Sequence, residues 1–271
     1  MRLGIISALH EEQQGLVEAM QSPYKLMHGM REYFVGQLWE IDAVCVLSRI
    51  GKVAAAMTAT TLVEKFGVTH ILFTGVAGAG AAGIRVGDIV VAESLVQHDM
   101  DASPLFPRYE VPLTGLTHFS TDRSMAQQLA DAAARFLDAE LAGAIDTEER
   151  AVFALDAPCL HRGLIGSGDQ FVNEREHINR LGKALPGLLA VEMEGAAVAQ
   201  VCFELGVPYG VLRTISDNAN ENAATDFMRF VKSVAARYAF CIVRQFCQGV
   251  QERAQARTQA DNQASRVSAG T

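Results

Sequence analysis

The stretch Phe73-Thr-Gly-Val-Ala-Gly-Ala-Gly-Ala-Ala-Gly83 contains a G-x-G-x-x-G pattern, formed by its last three glycines. It includes the end of an apolar run, His70-Ile-Leu-Phe-Thr74, that is typical of a buried strand. A dinucleotide fingerprint requires a helix that opens at the third glycine. Here only Ile84-Arg-Val-Gly-Asp88 precedes the next apolar strand, and a crossover helix needs roughly 10 or more residues. The pattern therefore predicts a tight glycine turn between two sheet strands, where backbone can closely approach a small ligand.

Composition and charge narrow the class of protein. The 271 residues are 49% apolar and carry a formal net charge of −8, with a pI near 5.4. The acidic balance argues against a nucleic-acid partner, and the longest apolar runs are strand-sized, so we expect no membrane partner. Five scattered cysteines without a CxxC pair indicate reduced thiols in a cytoplasmic protein. No histidine or cysteine spacing indicates a metal site, and no cofactor is expected.

Apolar β-rich runs alternate with helix-period segments along most of the chain. Leu3–Ser7 is a predicted strand, Glu11–Gln21 is a predicted helix, and Tyr33–Gln37 with Ile41–Leu47 is a predicted hairpin. Such alternation favours an α/β fold, a three-layer α/β/α sandwich with a mixed, mainly parallel central sheet.

The same pattern predicts how the chain is divided. Residues 1–248 are expected to form a single domain, a size that one hydrophobic core can support. Residues 249–271 form a polar tail with few apolar side chains, which we expect to be disordered.

Acidic residues follow three of the apolar strands, at the position where α/β proteins place their chemistry. Glu11 and Glu12 follow the first strand, Glu192 and Glu194 follow a second, and Asp217 ends a third. Glu11 and Asp217 could instead be capping or first-turn residues of helices. The presence of Glu192 and Glu194 so close to a core strand needs a stronger reason than capping, because burying charge there is costly.

These acidic residues lie within a series of short motifs. The motifs are Gly4-Ile-Ile-Ser-Ala-Leu-His-Glu-Glu12, Ser48-Arg-Ile-Gly-Lys-Val-Ala-Ala55, Thr74-Gly-Val-Ala-Gly78, Val86-Gly-Asp-Ile-Val-Val91, His98-Asp99, Ser167-Gly-Asp-Gln-Phe-Val-Asn173, Val191-Glu-Met-Glu194 and Arg213-Thr-Ile-Ser-Asp217. Each is weak alone. In this order and at these intervals, the chain from Met1 to about Val243 resembles the 5′-methylthioadenosine/S-adenosylhomocysteine nucleosidases of the purine nucleoside phosphorylase superfamily, less closely between Ala102 and Asp156.

The resemblance implies a nucleoside phosphorylase-like fold and a hydrolase of the N-glycosidic bond of adenine thionucleosides. The substrates would be 5′-methylthioadenosine and S-adenosylhomocysteine, with 5′-deoxyadenosine as a further candidate. The products would be adenine and the 5-substituted ribose, in methionine salvage and the removal of adenosylhomocysteine. The family's homodimers lend a loop across the interface, and Ala102–Pro107 is the matching stretch here.

The resemblance also implies roles for individual residues. Glu12 would be the base that activates water at the anomeric carbon. Asp217, held in place by Ser216, would be the acid that protonates the purine N7. Glu194 would bind the ribose hydroxyls, with Met193 packed under the sugar.

Further residues implied by the resemblance belong to the nucleoside pocket. Phe171 would stack on adenine while the backbone of Val172 reads its edge. Leu9, Ile50 and Phe227 would line an apolar slot for the 5′-alkylthio group. The remaining substrate-binding residues are Val76, Ala77, Gly78, Glu192 and Arg213.

The chemistry independently requires such a set. The adenine anion is a poor leaving group, so an acid of raised pKa must protonate the base as the bond breaks. The transition state resembles an oxocarbenium ion, which a nearby carboxylate stabilises. Water then needs a base on the opposite face of the sugar, as in inverting glycosidases.

Other activities remain open at this stage. Phosphorolysis is disfavoured because Glu11-Glu12 would repel phosphate and Thr74-Gly-Val76 carries neither arginine nor serine, although Arg213 could contact an anion. Another purine nucleoside, such as aminodeoxyfutalosine, would use the same carboxylates. A catalytically silent nucleoside sensor is the non-enzymatic alternative. Leu9, where the family commonly has methionine, and the proline-rich loop after Ala102 bear on the 5′ specificity.

Overall fold

The structure, a computed structural model, describes residues 1–217 and 223–268. Its strands are β1 (Arg2–Ser7), β2 (Gln21–His28), β3 (Arg31–Leu38), β4 (Ile41–Leu47), β5 (His70–Ala79), β6 (Ile89–Gln97), β7 (Phe119–Ser120), β8 (Leu160–Ser167), β9 (Leu188–Glu192) and β10 (Tyr209–Asp217). Its helices are α1 (His10–Glu18), α2 (Lys52–Glu64), α3 (Arg123–Arg135), α4 (Leu141–Ala144), α5 (Thr147–Val152), α6 (Arg175–Ala184), α7 (Gly195–Leu205), α8 (Ala223–Phe230) and α9 (Ala236–Ser268). Two π-helical turns, Phe136–Glu140 and Val231–Ala235, join α3 to α4 and α8 to α9.

All the strands belong to one mixed sheet. Their order is β10-β6-β8-β9-β5-β1-β4-β3-β2, and β7 pairs with β6. The strand β1 lies between two parallel neighbours, with Ile5 level with Cys45 on β4 and with Leu72 on β5. These strands are apolar at nearly every position because helices cover both of their faces.

The sheet closes on itself at one end. The strand β10 pairs in parallel with β5 and antiparallel with β6, so that β5, β9, β8, β6 and β10 form a closed ring. The expected open sandwich with a mainly parallel sheet is corrected here: the fold is α/β with a mixed sheet, but five strand pairings are parallel and five antiparallel. Strand twist makes such closure possible, and closure removes exposed strand edges.

Helices pack on both faces of the sheet. On one face α1 and α3 contact α9, around a core that includes Leu16, Leu129 and Tyr238. On the other face α2 contacts α7, over a core that includes Leu62 and Val198. These two cores hold the strands rigidly, so that the loops at the strand ends are well positioned.

The first quarter of the chain differs in part from the sequence prediction. The hairpin is present as β3 and β4. The predicted helix Glu11–Gln21 is shorter, because α1 ends at Glu18 and Gln21 begins the unpredicted strand β2. Every residue of β2 is exposed, so its sequence lacks the alternation of apolar and polar residues that marks a half-buried strand.

The polar tail is helical in the structure. Helix α9 continues to Ser268, whereas the sequence predicts disorder from residue 249, and that disorder stays a prediction. Alanine, glutamine and arginine are the commonest residues of this segment, and all three favour helix. Gln251 donates to the carbonyl of Trp39, and Arg253 Nη2 donates to Oε1 of Gln128 at 2.6 Å. The domain limit at residue 248 stays a prediction.

Two general properties of the chain complete the description of the fold. In residues 1–217 and 223–268, no helix combines the length and apolar character needed to cross a membrane. The five cysteines are free thiols, all buried except Cys159. Burial raises the pKa of the Cys45 thiol, which favours its neutral form in the core.

Candidate active site

The ends of β1, β9 and β10 and the second half of β5 meet at one rim of the sheet. A cavity at this rim is lined by every residue that the sequence assigns to catalysis or substrate binding. These residues are Leu9, Glu12, Ile50, Val76, Ala77, Gly78, Phe171, Val172, Glu192, Met193, Glu194, Arg213, Ser216, Asp217 and Phe227. Segments that are far apart in the sequence thus converge on one cavity.

Glu12 lies in the first turn of α1 and is 2% exposed. Its Oε2 accepts hydrogen bonds from the N–H groups of Ala8 and Leu9, both at 3.0 Å, and its Oε1 accepts one from the N–H of Val76 at 3.1 Å. Burial raises the pKa of this carboxyl, against the opposing effects of the N–H donors and of the charge of Arg213. A fixed carboxyl with a raised pKa is suited to accept a proton.

Asp217 ends β10 and pairs with Gly78 on β5, where a bulge after Ile215 shifts the register. The side chain is 4% exposed. Ser216 Oγ donates a hydrogen bond to Oδ2 of Asp217 at 3.0 Å. The bulge and this hydrogen bond together orient the carboxyl group at the cavity wall.

Arg213 and Glu192 form a buried ion pair beside the cavity. Nη2 of Arg213 donates to Oε2 of Glu192 at 2.7 Å, and the two side chains are 1% and 3% exposed. The guanidinium lies 4.0 Å above the ring of Phe73, and its Nη1 donates to two backbone carbonyls. Glu192 also accepts hydrogen bonds from Ser167 Oγ and from the N–H of Gly195. These contacts fix the end of β9 and the residues that follow it.

Glu194 follows β9 and is 5% exposed. Its Oε1 accepts a hydrogen bond from the N–H of Gly51 at 2.7 Å. Burial and, next in importance, the negative charge of Glu192 raise the pKa of Glu194 to about 8. Near neutral pH this carboxyl can therefore exist in both protonation states, and it can accept hydrogen bonds from hydroxyl groups in either.

Apolar side chains surround the rest of the cavity. The rings of Phe171 and Phe227 meet edge to face, with centroids 6.1 Å apart and an interplanar angle of 79°. Phe171 is 49% exposed and Ile50 is 60% exposed, so both remain accessible at the mouth. An accessible aromatic ring beside buried carboxylates fits a ligand with a flat ring and a polar portion.

Five further residues line the cavity without having been selected from the sequence: Ala8, Phe73, Gly75, Gln170 and Val191. Ala8, Gly75 and Gln170 lie inside the quoted motifs, so the motifs themselves could have indicated them. Val191 likewise opens the quoted motif Val191-Glu-Met-Glu194, whereas Phe73 lies outside the motifs and is an apolar strand residue like other core positions.

Two other features of the site concern its surroundings. None of the described residues that line the cavity comes from Ala102–Pro107, where Leu105 is 85% exposed. In the described part of the chain, no group of three or more His, Cys, Asp or Glu side chains is arranged to hold a metal ion.

Comparison with known proteins gives the family. The sequence pattern of the phosphorylase superfamily matches residues 2–246. A 5′-methylthioadenosine/S-adenosylhomocysteine nucleosidase of Shewanella denitrificans is 36% identical over 244 residues, which cover 90% of this chain and 97% of that one. The chain belongs to this nucleosidase family of the phosphorylase superfamily.

Solved structures of related proteins agree with the family assignment. The 5′-methylthioadenosine/S-adenosylhomocysteine nucleosidase of S. pneumoniae, in complex with the transition-state inhibitor MT-ImmA, superposes with a TM-score of 0.79 at 33% identity. The match covers 92% of this chain and 100% of that one. A futalosine hydrolase of Helicobacter pylori superposes with a TM-score of 0.76 at 32% identity, over 90% of this chain and 97% of that one. Members of the superfamily with different named substrates are therefore similar to this chain.

Proposed function

We propose that the protein hydrolyses the N-glycosidic bond of 5′-methylthioadenosine and of S-adenosylhomocysteine, releasing adenine and the 5-substituted ribose. The observation that carries this proposal is the convergence of Glu12, Glu194 and Asp217, all buried, on one cavity. Membership of the nucleosidase family supports the reaction class, and the names of the relatives support the substrates.

Asp217 acts as the general acid. Adenine leaves readily only when it is protonated, and the purine N7 is the atom that would accept the proton from this carboxyl group. Ser216 donates a hydrogen bond to Oδ2, which holds the carboxyl group at the cavity wall, where it can deliver a proton to the base. Proton delivery by a positioned acid typically accelerates such a step by about 10²- to 10⁴-fold.

Glu12 acts as the general base on the sugar side. Three backbone N–H groups fix its carboxylate, so the side chain is oriented before substrate arrives. A water molecule hydrogen-bonded to Glu12 would lose its proton as the oxygen attacks the anomeric carbon. Base and acid then lie on opposite sides of the bond that breaks, as inversion requires.

Glu194 and the ion pair behind it serve the ribose. The carboxyl of Glu194 accepts hydrogen bonds from the sugar hydroxyls, and in its ionised form it stabilises the positive charge that develops on the ring. Met193 supplies an apolar surface beneath the sugar. The pair of Glu192 and Arg213 fixes the backbone on which both residues lie.

The apolar part of the cavity recognises the two ends of the nucleoside. Phe171 stacks on adenine and the backbone of Val172 reads the edge of the base. Leu9, Ile50 and Phe227 enclose the 5′-alkylthio group. A slot of apolar side chains favours a thioether over a charged 5′ group such as phosphate, because desolvating a charge is costly.

Hydrolysis is favoured over phosphorolysis by the surroundings of Arg213. Arg213 is the one cationic side chain among the described residues that line the cavity. Its guanidinium already donates to Glu192 and to backbone carbonyls. A phosphate dianion would have to displace these partners next to buried carboxylates, which would repel it.

A second candidate substrate is aminodeoxyfutalosine. The similarity to the futalosine hydrolase of H. pylori favours it, at an identity close to that of the S. pneumoniae nucleosidase. The same acid and base would serve, and the slot formed by Leu9, Ile50 and Phe227 would decide between the 5′ substituents.

The proposal extends to assembly and cellular role. A homodimer would cover exposed apolar side chains, among them Val53 at 82% and Leu105 at 85% exposure. The Ala102–Pro107 loop would then reach the 5′ slot of the partner. Free thiols are compatible with a cytoplasmic enzyme, and its reaction would serve methionine salvage and the removal of adenosylhomocysteine.

A substrate panel tests the proposal. The purified protein is incubated with methylthioadenosine, adenosylhomocysteine, aminodeoxyfutalosine and inosine, each with and without phosphate, and the base and sugar products are identified. We expect adenine and free 5-methylthioribose from methylthioadenosine at a rate independent of phosphate. A sugar 1-phosphate product would overturn hydrolysis, and a strong preference for aminodeoxyfutalosine would establish the second candidate.

A further inference from the structure

Helix α2 begins without a cap from its own segment. Gly51 precedes its first residue, Lys52, and supplies no side-chain hydrogen bond. Two carboxylates from elsewhere accept its first N–H groups instead: Oε1 of Glu194 from Gly51 at 2.7 Å, and Oδ1 of Asp169 from Lys52 at 2.8 Å. Gly51 has a φ of 97°, and a Cβ there would lie 3.1 Å from Oδ1 of Asp169, so this junction requires glycine.

Asp169 is also held from its other side. Its N–H donates to Oδ2 of Asp99 at 2.9 Å, and Oδ1 of Asp99 accepts a hydrogen bond from Nζ of Lys52 at 2.6 Å. Asp169, Asp99 and Lys52 therefore form a closed cycle of three hydrogen bonds that joins the start of α2 to the loops after β6 and β8. In this subsection and below, these three residues are called the loop clamp.

The loop clamp is directly connected to two parts of the cavity lining. The three residues after Asp169 are Gln170, Phe171 and Val172, and all three line the cavity, whereas Asp169 does not. Phe171 is 49% exposed and its ring contacts that of Phe227, so about half of the side chain is unsupported by packing. At the other side of the clamp, the N–H next to Lys52 holds Glu194.

We propose that Asp169 is a positioning residue that fastens the purine-binding loop to the helix end that holds Glu194. This inference rests on the proposed function, because it takes Phe171 and Val172 to bind the base and Glu194 to bind the sugar. The amino end of α2 then sets the distance between the base and sugar subsites. Loss of the carboxyl would free the Phe171 loop while leaving Glu12 and Asp217 in place.

Steady-state kinetics and calorimetric titration with adenine test this inference. For Asp169→Ala we expect KM to rise about tenfold and adenine binding to weaken by a similar factor, since one capping hydrogen bond corresponds to roughly a decade in equilibrium constant. The value of kcat should stay within about twofold, because the acid and base are unchanged. Asp169→Asn should restore both KM and adenine affinity to wild-type values, since asparagine caps helices as well as aspartate does.

The matched control is Asp122→Ala. Asp122 caps α3 by accepting the N–H of Met125 at 2.8 Å, and neither residue lines the cavity. The Asp122→Ala variant should lower the melting temperature as Asp169→Ala does, but it should leave KM and adenine binding unchanged. Should Asp169→Ala fail to fold, Asp99→Ala opens the clamp from its other side and is expected to give the same kinetic pattern.

Wild-type KM and adenine affinity in a folded clamp variant would overturn the inference, and so would an equal loss of adenine affinity in Asp122→Ala. Adenine titration needs no turnover, so the two proposals can fail separately. If the wild type binds adenine but hydrolyses none of the panel, the proposed function is wrong while weaker binding in Asp169→Ala still supports the clamp. Absence of adenine binding by the wild type would overturn the inference.

Discussion

Gly75 on β5 lies directly against the carboxylate of Glu12. A Cβ at position 75 would be 3.1 Å from Oε1 and 3.4 Å from Oε2 of Glu12. The next residue, Val76, donates its N–H to Oε1. Strand β5 therefore positions Glu12 in two ways: the N–H of Val76 donates a hydrogen bond to its carboxylate, and the absence of a side chain at Gly75 leaves room for it.

Replacing Gly75 by alanine should disturb catalysis more than folding. The added methyl group is expected to push the carboxylate of Glu12 away from the N–H of Val76 and to lower kcat by about 10- to 100-fold, as small misplacements of a catalytic group do. Gly143→Ala is the matched control, since a Cβ there meets nothing within 4 Å and alanine favours the helix. Steady-state assays of both variants check this, and an unchanged kcat in Gly75→Ala would contradict it.

Substitution of the proposed base and acid should separate binding from turnover. Glu12→Gln and Asp217→Asn keep the shape of each side chain but remove its proton transfer, so kcat should fall by about 10²-fold or more with little change in substrate affinity. Affinity is measured by calorimetric titration with a non-hydrolysed analogue. Glu11→Gln, a neighbouring carboxyl that does not line the cavity, should retain wild-type kcat. Wild-type turnover in both Glu12→Gln and Asp217→Asn would rule out the mechanism.

The raised pKa of Glu194 should make stability depend on pH. The pKa is near 4.5 ordinarily and about 8 in the folded protein. Between these values the folded state binds a proton that the unfolded state has lost, so the contribution of Glu194 to the free energy of unfolding falls as pH rises. That contribution is complete below about pH 4.5 and lost above about pH 8.

Glu194→Gln tests this dependence, because glutamine resembles the neutral acid at every pH. The melting temperature of the variant minus that of the wild type should increase between pH 5 and pH 8. The expected increase is several degrees, because the pKa shift corresponds to roughly a few kcal/mol of unfolding free energy. Other titrating groups are common to both proteins and largely cancel in the difference. A difference that stays constant or decreases with pH would show that Glu194 does not have the raised pKa.

The ion pair of Arg213 and Glu192 should be costly to break from one side. Arg213→Met leaves the charge of Glu192 buried without its partner, and the free energy of unfolding should fall by about 3–5 kcal/mol. The double variant Glu192→Gln with Arg213→Met removes both charges and should regain most of that loss. Urea unfolding of the two variants measures the difference. A double variant no more stable than Arg213→Met would mean that the buried charge is not the cause.

The sequence placed the acidic residues after strands but gave no indication that the sheet closes. Glu12, Glu194 and Asp217 follow or end apolar strands, where α/β proteins place their chemistry, and all three line one cavity, while their roles stay a prediction. Closure depends on β10 pairing with both β5 and β6. Such long-range pairings leave no local pattern, since a strand that closes a ring is as apolar as any other buried strand.

Other features escaped prediction because their cause lies in neighbouring segments. The strand β2 is fully exposed, so its pairing with β3 leaves no alternation in the sequence. The clamp contacts of Asp169 join residues 70 and 117 positions apart, and no spacing rule connects them.

The closed ring of strands has a consequence for how such an enzyme can change. Glu192 and Asp217 end strands of the ring, and Glu12 accepts a hydrogen bond from the N–H of Val76 on the ring strand β5, so moving any of them disturbs the ring. Leu9, Ile50 and Phe227 lie on loops or on a helix outside it. Mutation can therefore remodel the pocket for the 5′ substituent while the bond-breaking apparatus is conserved, and we expect new substrates to evolve at the rim long before new chemistry evolves in the ring.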